Sequence, residues 1–374
     1  MPNPFKPTAG ATPPLLVGRD QLIDEFRESL DDGPGAPGLL TLVTGARGTG
    51  KTVMLTEMGE AARTQGWVVI DETARDGLMD RLRSQIDGCL AALDNPQRSR
   101  WTSLSVTTPL GGGGITLDRP PRESRSWRSS ASALTARLAE NETGLLITVD
   151  EIHAIPRAEL QALAAEVQHL IRDRAPIGLI MAGLPRAVED LLNDEITTFL
   201  RRAERLTLGE VPLDEVQSAF QSTFSTAGRP LSEELAHDCA LATEGYPFMI
   251  QLVGYHVWRR CPEEVVVPDA VSAGIAAARS RLGDLVHAPA LQDLSDTDRS
   301  MLVSMAEDDG PSRIADVATR MGQTSGYVSV YRARLIAAGM IRPAGYGLVD
   351  FAAPYLREYL RTHSSSLSTA PRAW

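Results

Sequence analysis

Lysine is almost missing from this chain. Of its 37 basic residues, all but Lys6 and Lys51 are arginine. Long apolar runs are missing too, since none approaches the ~18 residues of a membrane-spanning helix. The opening MPNPFKPTAG also lacks the apolar stretch of a secretory signal, so a cytoplasmic protein with no membrane partner is expected. Cysteine is scarce: Cys89, Cys239 and Cys261 are odd in number, far apart, and without CxxC spacing or a matching histidine pair. That argues against a disulfide framework and against a zinc site. Positive charge is in deficit overall, at a formal net −11, which argues against a general polyanion binder.

What is present suits a soluble protein of two or three domains: 374 residues, 43% hydrophobic and 23% charged. After a Pro-rich, loosely ordered start (1–14), strand and helix patterns alternate. LLTLVT (39–44), WVVIDE, LLITVD and IGLIMAG read as buried strands, with helices following Lys51 and across 130–140 and 157–173. Such alternation implies α/β architecture: a parallel sheet with helices on both faces. The expected core spans 15–209, interrupted over 102–127 by a Gly-rich insert that reads equally as a hairpin or as disorder. Helical patterns over 212–225, 232–243, 247–260 and 268–283 then suggest a helical lid (210–285). HAPALQDLS reads as a short linker, 290–363 as a winged helix-turn-helix, and 364–374 as a disordered tail.

GARGTGKT (45–52) fits G-x-x-x-x-G-K-T, directly after a strand and opening a helix. Its glycines let the backbone of Gly45, Ala46, Arg47, Gly48, Thr49, Gly50, Lys51, Thr52 and Val53 curl around phosphates at a helix N-terminus. Lys51 must reach between phosphates as a slim point charge, a slot into which a planar guanidinium does not fit. That requirement accounts for a lysine here in a chain that otherwise writes arginine. Thr52 is the expected hydroxyl ligand of Mg²⁺.

LLITVDEIH ends its strand with Asp150 and Glu151, at the strand end where parallel-sheet sites lie. Asp150 is the candidate for the magnesium shell and Glu151 for polarising the water that attacks the γ-phosphate of ATP. His153 reads as a bystander.

With both motifs in place, residues 15–285 resemble the AAA+ and related STAND class of P-loop ATPases. The resemblance implies that Val17, Gly18 and Arg19 of LVGRDQLIDEF close over the base. FLRRAERLTLGEVPLDEV looks like the stretch that carries an arginine finger, with Arg201 and Arg202 the candidates and Arg205 behind them. Such a finger acts on a neighbouring subunit and implies a nucleotide-dependent homo-oligomer; a solvated basic helix end is the alternative. Two departures stand out. The strand IGLIMAG runs into Leu184-Pro185 without a polar sensor residue, and the lid has Gly245-Tyr246-Pro247 where an arginine is frequent. The latter is similar to the STAND pattern, in which the proline, here Pro247, packs near nucleotide. Slow hydrolysis and a switch rather than a motor are expected.

The end of the chain resembles the winged helices of origin-recognition and archaeal initiator ATPases, and of bacterial AAA ATPases. Ser312–Arg342 holds five arginines against Asp316 alone, a local excess of four positive charges. In the winged-helix arrangement, Thr324, Ser325, Tyr327 and Ser329 could reach base edges or phosphates of double-stranded DNA, and Arg332, Arg334 and Arg342 its backbone. Three readings follow: an ATP switch that binds DNA, a STAND-like signalling scaffold whose winged helix makes protein contacts, and, least supported, a P-loop kinase or transferase.

Overall fold

The apolar strands assemble into one five-stranded parallel sheet. In the computed structural model, which describes residues 2–8, 17–94, 126–193, 198–261 and 265–367, its strands are β1 (Leu40–Gly45), β2 (Val68–Thr73), β3 (Leu145–Asp150), β4 (Ile177–Gly183) and β5 (Glu204–Leu208). Their order is β2-β3-β4-β1-β5, which puts the phosphate-loop strand and the Asp150 strand on either side of β4. Alternate residues of each strand feed separate cores, because side chains of a pleated strand point to opposite faces. Leu42, Ile147, Leu179 and Met181 face one core, with α3 (Leu78–Leu93), α4 (Trp127–Ala139), α5 (Arg157–Arg172) and α6 (Pro185–Leu192). Val43, Leu146, Ile180 and Ala182 face the other, with α1 (Asp20–Asp32) and α2 (Lys51–Thr64). Burial on both faces is what makes these strands read as continuous apolar runs.

Four helices make up the segment expected as a lid, and that term is kept for them: α7 (Leu213–Thr226), α8 (Glu233–Leu241), α9 (Pro247–Arg260) and α10 (Pro268–Leu282). Their core is built on Phe220, Phe224, Val253, Val257 and Trp258. The loose start expected for 1–14 is corrected over 2–8, where Phe5 is buried in this same core. A single aromatic in a Pro-rich stretch carries no periodicity, so its burial follows from tertiary contacts alone.

The expected linker is also different. α10 runs through a π turn at Gly283–His287 directly into α11 (Ala288–Gln292), and His287, Ala290 and Leu291 are buried. Pro289, which has no N–H to continue the ladder, follows directly on the π turn, where the helix changes its hydrogen-bond register. The Gly-rich insert lies outside the described residues apart from 126–127, where Ser126 caps α4. The tail is helical as far as Leu367.

The C-terminal unit runs α12 (Asp296–Met305), β6 (Ser312–Arg313), α13 (Ile314–Arg320), α14 (Ser325–Ala337), β7 (Ile341–Gly345), β8 (Leu348–Phe351) and α15 (Leu356–Leu367). Its three strands form an antiparallel sheet in the order β6-β8-β7, and Met301, Leu302, Val317, Val328 and Leu335 lie in the core of the unit. The β7–β8 turn carries a fully exposed Tyr346. The unit rests on the sheet domain through contacts between α14 and α6, and its Arg342 meets Glu210 at 2.8 Å.

Candidate nucleotide site

The turn between β1 and α2 exists because glycine takes backbone angles that other residues resist. Gly48 has φ +75°, and a Cβ there would sit 1.9 Å from the hydroxyl of Tyr246. That tyrosine reaches over from the lid and donates to the Arg47 carbonyl at 2.7 Å. The loop is thereby tied to the N-terminus of α9.

Lys51 is buried and its ammonium donates to the carbonyls of Gly45 (3.0 Å) and Ala46 (2.8 Å). Burial draws its pKa below the ordinary lysine value, against the opposing pull of Glu151 and Asp150 and with a further push from Arg47. Both acceptors are neutral, so an anion entering the loop offers this cation a stronger partner than those it holds.

Beside it, Thr52 Oγ1 donates to Asp150 Oδ2 at 2.5 Å, across 98 residues of chain. Burial raises the Asp150 pKa, opposed by the Thr52 hydroxyl and the Glu151 N–H. Two hard oxygens converging next to the phosphate loop are the donor set that Mg²⁺ takes when it shares its shell with phosphates and water. No group of three or more His, Cys, Asp or Glu side chains able to hold a metal on their own occurs among the described residues.

Glu151 occupies left-handed backbone space at φ +58°. Its Oε2 lies 3.0 Å from His153 Nε2, and this hydrogen bond, with the adjoining charges, holds its carboxyl below the usual glutamate range. His153 is therefore no bystander. The sequence signal was the E-x-H spacing at a strand end, which reads as nothing until the backbone turns sharply at Glu151.

These groups open onto a cavity of about 550 Å³. Residues 47–54, Glu151 and His153 form its floor, and Tyr246, Pro247, Phe248, Ile250 and Gln251 its lid side. Val17 and Arg19 line it as well, Arg19 donating to the Gly209 carbonyl at 2.9 Å. Gly18 does not; a Cβ there would meet Glu215 at 2.6 Å, so its smallness serves the approach of α7. Two walls had no counterpart in the sequence reading: Leu285, Val286, Pro289 and Ala290 of the helical linker, and Lys6 and Thr8. Arg47, His153 and Leu184 also border a second cavity of about 440 Å³ that extends to Ala337 and Ala338 at the end of α14.

Arg201 and Arg202 lie elsewhere, exposed on a 3₁₀ turn before β5, with Arg201 Nε donating to the Leu192 carbonyl at 2.9 Å. Neither lines the cavity of its own chain.

In the C-terminal unit, Thr324 caps α14 and its neighbours Ser325, Tyr327 and Ser329 are exposed. The arginines are less free. Arg334 meets the buried Asp298 at 2.8 Å, Arg342 meets Glu210, and Arg320 is held by Asp308. Arg332 is half-buried with its Nε unpartnered. The local excess counted in sequence is thus largely matched by carboxylates from outside that segment.

Set beside known proteins, residues 15–181 match the family described as AAA ATPase domain. Over those residues the chain is similar to an AAA ATPase domain. The matched stretch includes the phosphate loop and Asp150-Glu151 and ends within β4, ahead of the lid. Residues 284–360 match a family described as a domain of unknown function. A comparison with curated proteins finds no match. Among solved structures, the Walker-type ATPase of Pyrococcus abyssi is similar at 15% identity, 92% of this chain, 96% of that one and TM-score 0.67. The Aeropyrum pernix ORC2 protein, in ADPNP–ADP complexes, is similar at 14% identity, 97% of this chain, 98% of that one and TM-score 0.62. At such identities the likeness is one of fold, and it extends over the sheet, lid and C-terminal unit together.

Proposed function

We propose that the AAA ATPase domain binds and slowly hydrolyses MgATP, and that nucleotide sets the posture of the C-terminal unit, which engages DNA. The observation that carries this reading is the Lys51 ammonium resting on two neutral carbonyls, 2.8–3.0 Å away, beside the Thr52–Asp150 pair. On binding, Lys51 exchanges the Gly45 and Ala46 carbonyls for phosphate oxygens, and backbone N–H groups of the loop and of the first turn of α2 donate to the same phosphates. Thr52 and Asp150 would hold Mg²⁺, which would supply positive charge to the phosphates. Glu151, kept ionised by His153, orients and polarises the attacking water. Val17, Arg19 and Pro247 close around the nucleoside.

Arg201 and Arg202 serve only a neighbouring copy, since they do not reach their own cavity. Leu184-Pro185 at the end of β4 places no polar side chain where the terminal phosphate would be sensed, which supports slow turnover. Coupling to the C-terminal unit runs through the helical linker, which is itself a wall of the site.

A second reading, a signalling ATPase whose C-terminal unit makes protein contacts, gains support from Arg334 and Arg342 being engaged within the chain. Titrating the full chain with duplex DNA at several salt concentrations, with MgATP and with MgADP, separates the two. DNA engagement predicts binding that weakens steeply with salt and differs between nucleotides. No binding at low salt in either state supports the signalling reading.

A further inference from the structure

The second lysine of the chain lies on the same cavity as the first. Lys6 and Thr8 line it together with the phosphate loop, although Lys6 lies 45 positions before the G-K-T lysine at 51. The segment that brings them there is pinned to the lid. Phe5 inserts between lid helices, its ring centroid 5.9 Å from that of Phe220 and 5.4 Å from that of Phe224. Gly254 makes room for it: a Cβ there would stand 2.3 Å from the Phe5 ring. Asn3 Nδ2 donates to the Tyr255 carbonyl at 3.1 Å, and Asn3 Oδ1 accepts the Phe5 N–H at 3.0 Å. The Lys6 N–H then donates to Gln251 Oε1 at 3.1 Å. Every one of these partners belongs to α7 or α9, so residues 2–8 move with the lid.

We propose that residues 2–8 are a strap that roofs the nucleotide site, and that Lys6 is a nucleotide-binding residue which holds the nucleoside end of the ligand from the lid side. This rests on the reading of the cavity as an MgATP site. The placement follows from α9. Tyr246, at its start, bonds the phosphate loop, whereas Gln251 lies more than a full turn further along, about 7.5 Å at 1.5 Å per residue. Lys6 is fastened at Gln251 and so sits away from the phosphate cradle. Its backbone hydrogen bond to Oε1 fixes the Gln251 amide, leaving the amide nitrogen as a second donor beside the Lys6 ammonium. Both donors suit acceptor atoms on a ribose and a purine edge. A ligand held by Lys51 from the sheet domain and by Lys6 from the lid bridges the two bodies, so occupancy fixes the lid angle.

The test uses the full chain and measures affinity for MgATP and for MgADP calorimetrically in the parent, Lys6→Ala, Lys6→Arg, Phe5→Ala and Lys51→Ala. The expected result is about a tenfold loss for Lys6→Ala with both nucleotides alike, the scale of one charge-assisted hydrogen bond. Lys6→Arg recovers most of that loss, and thermal unfolding without nucleotide is the same in Lys6→Ala as in the parent. Phe5→Ala loses at least as much affinity, because the strap is unpinned. If Lys6→Ala binds both nucleotides as the parent does while Lys51→Ala binds neither, the strap proposal is overturned and the site reading stands. A loss confined to MgATP puts Lys6 on the terminal phosphate and overturns its placement. A parent that binds no nucleotide overturns both.

Discussion

The phosphate loop and the C-terminal unit each present positive charge, but they hold it differently. Lys51 rests on two neutral carbonyls, whereas Arg334, Arg342 and Arg320 are matched to the carboxylates of Asp298, Glu210 and Asp308. Replacing a carbonyl by a phosphate is a net electrostatic gain; replacing a carboxylate by a phosphate is close to an even exchange that also strands an anion. A cation on neutral acceptors is poised for a ligand, and a cation on a carboxylate is a strut. Counting charge along a segment does not separate these cases, because the partners of the 312–342 arginines lie outside that segment.

The comparison can be sharpened first at the loop. Glu151→Gln keeps the shape of the side chain and removes its basicity, so MgATP still binds while turnover falls about 10²–10⁴-fold in a phosphate-release assay. Unchanged turnover would remove Glu151 from the chemistry and leave the loop a binding site alone.

The next largest effect is expected at the joint between the two regions. His287 is buried in the linker, its ring 5.5 Å from that of Tyr359 on α15, with the Pro354 carbonyl as its polar partner. Burial pushes its pKa down to about 4, so it is neutral in the folded chain. Its contribution is therefore complete above about pH 6.5 and is lost as pH falls toward 4, because the unfolded chain takes up the proton first. Across that window the parent should lose about 2–3 kcal/mol more stability than His287→Gln, measured as unfolding midpoints in denaturant. Equal losses would contradict the linkage.

The smallest effect tests the strut directly. Arg334→Ala leaves the buried Asp298 without its guanidinium and should cost about 1–2 kcal/mol, discounted because the arginine itself is half exposed. Arg313→Ala, exposed and with no ion pair among the described residues, should cost nothing measurable. If the two variants melt alike and Arg334→Ala alone weakens DNA binding, Arg334 is a ligand contact and the contrast drawn here fails.

How much of this was legible in the sequence varied with the range of the interactions involved. LLITVD and IGLIMAG coincide with β3 and β4, and PFMIQLVGYHVWRR with α9, because each is long enough and apolar enough to declare itself. The juxtaposition of Lys51, Thr52, Asp150 and Glu151 follows from two local motifs, each at the end of a parallel strand. α3 carried a signal that went unread: Leu78, Leu82, Ile86 and Cys89 recur at helical spacing and are buried. β5 is short and only half-buried at the sheet edge, and its basic approach drew attention to a finger instead of a strand. The Phe5 pin, the Tyr246 bond to the loop and the helical linker had no local signature. Each depends on contacts between residues far apart in the chain, where periodicity and capping rules say nothing.

The account stands most directly on Lys51. A calorimetric titration of MgATP into the full chain and into Lys51→Ala should show one saturable site per parent chain and at least a hundredfold loss in the variant, about 3 kcal/mol. Equal binding by the two proteins, or no binding of any purine nucleotide by the parent in the presence of magnesium, would contradict it.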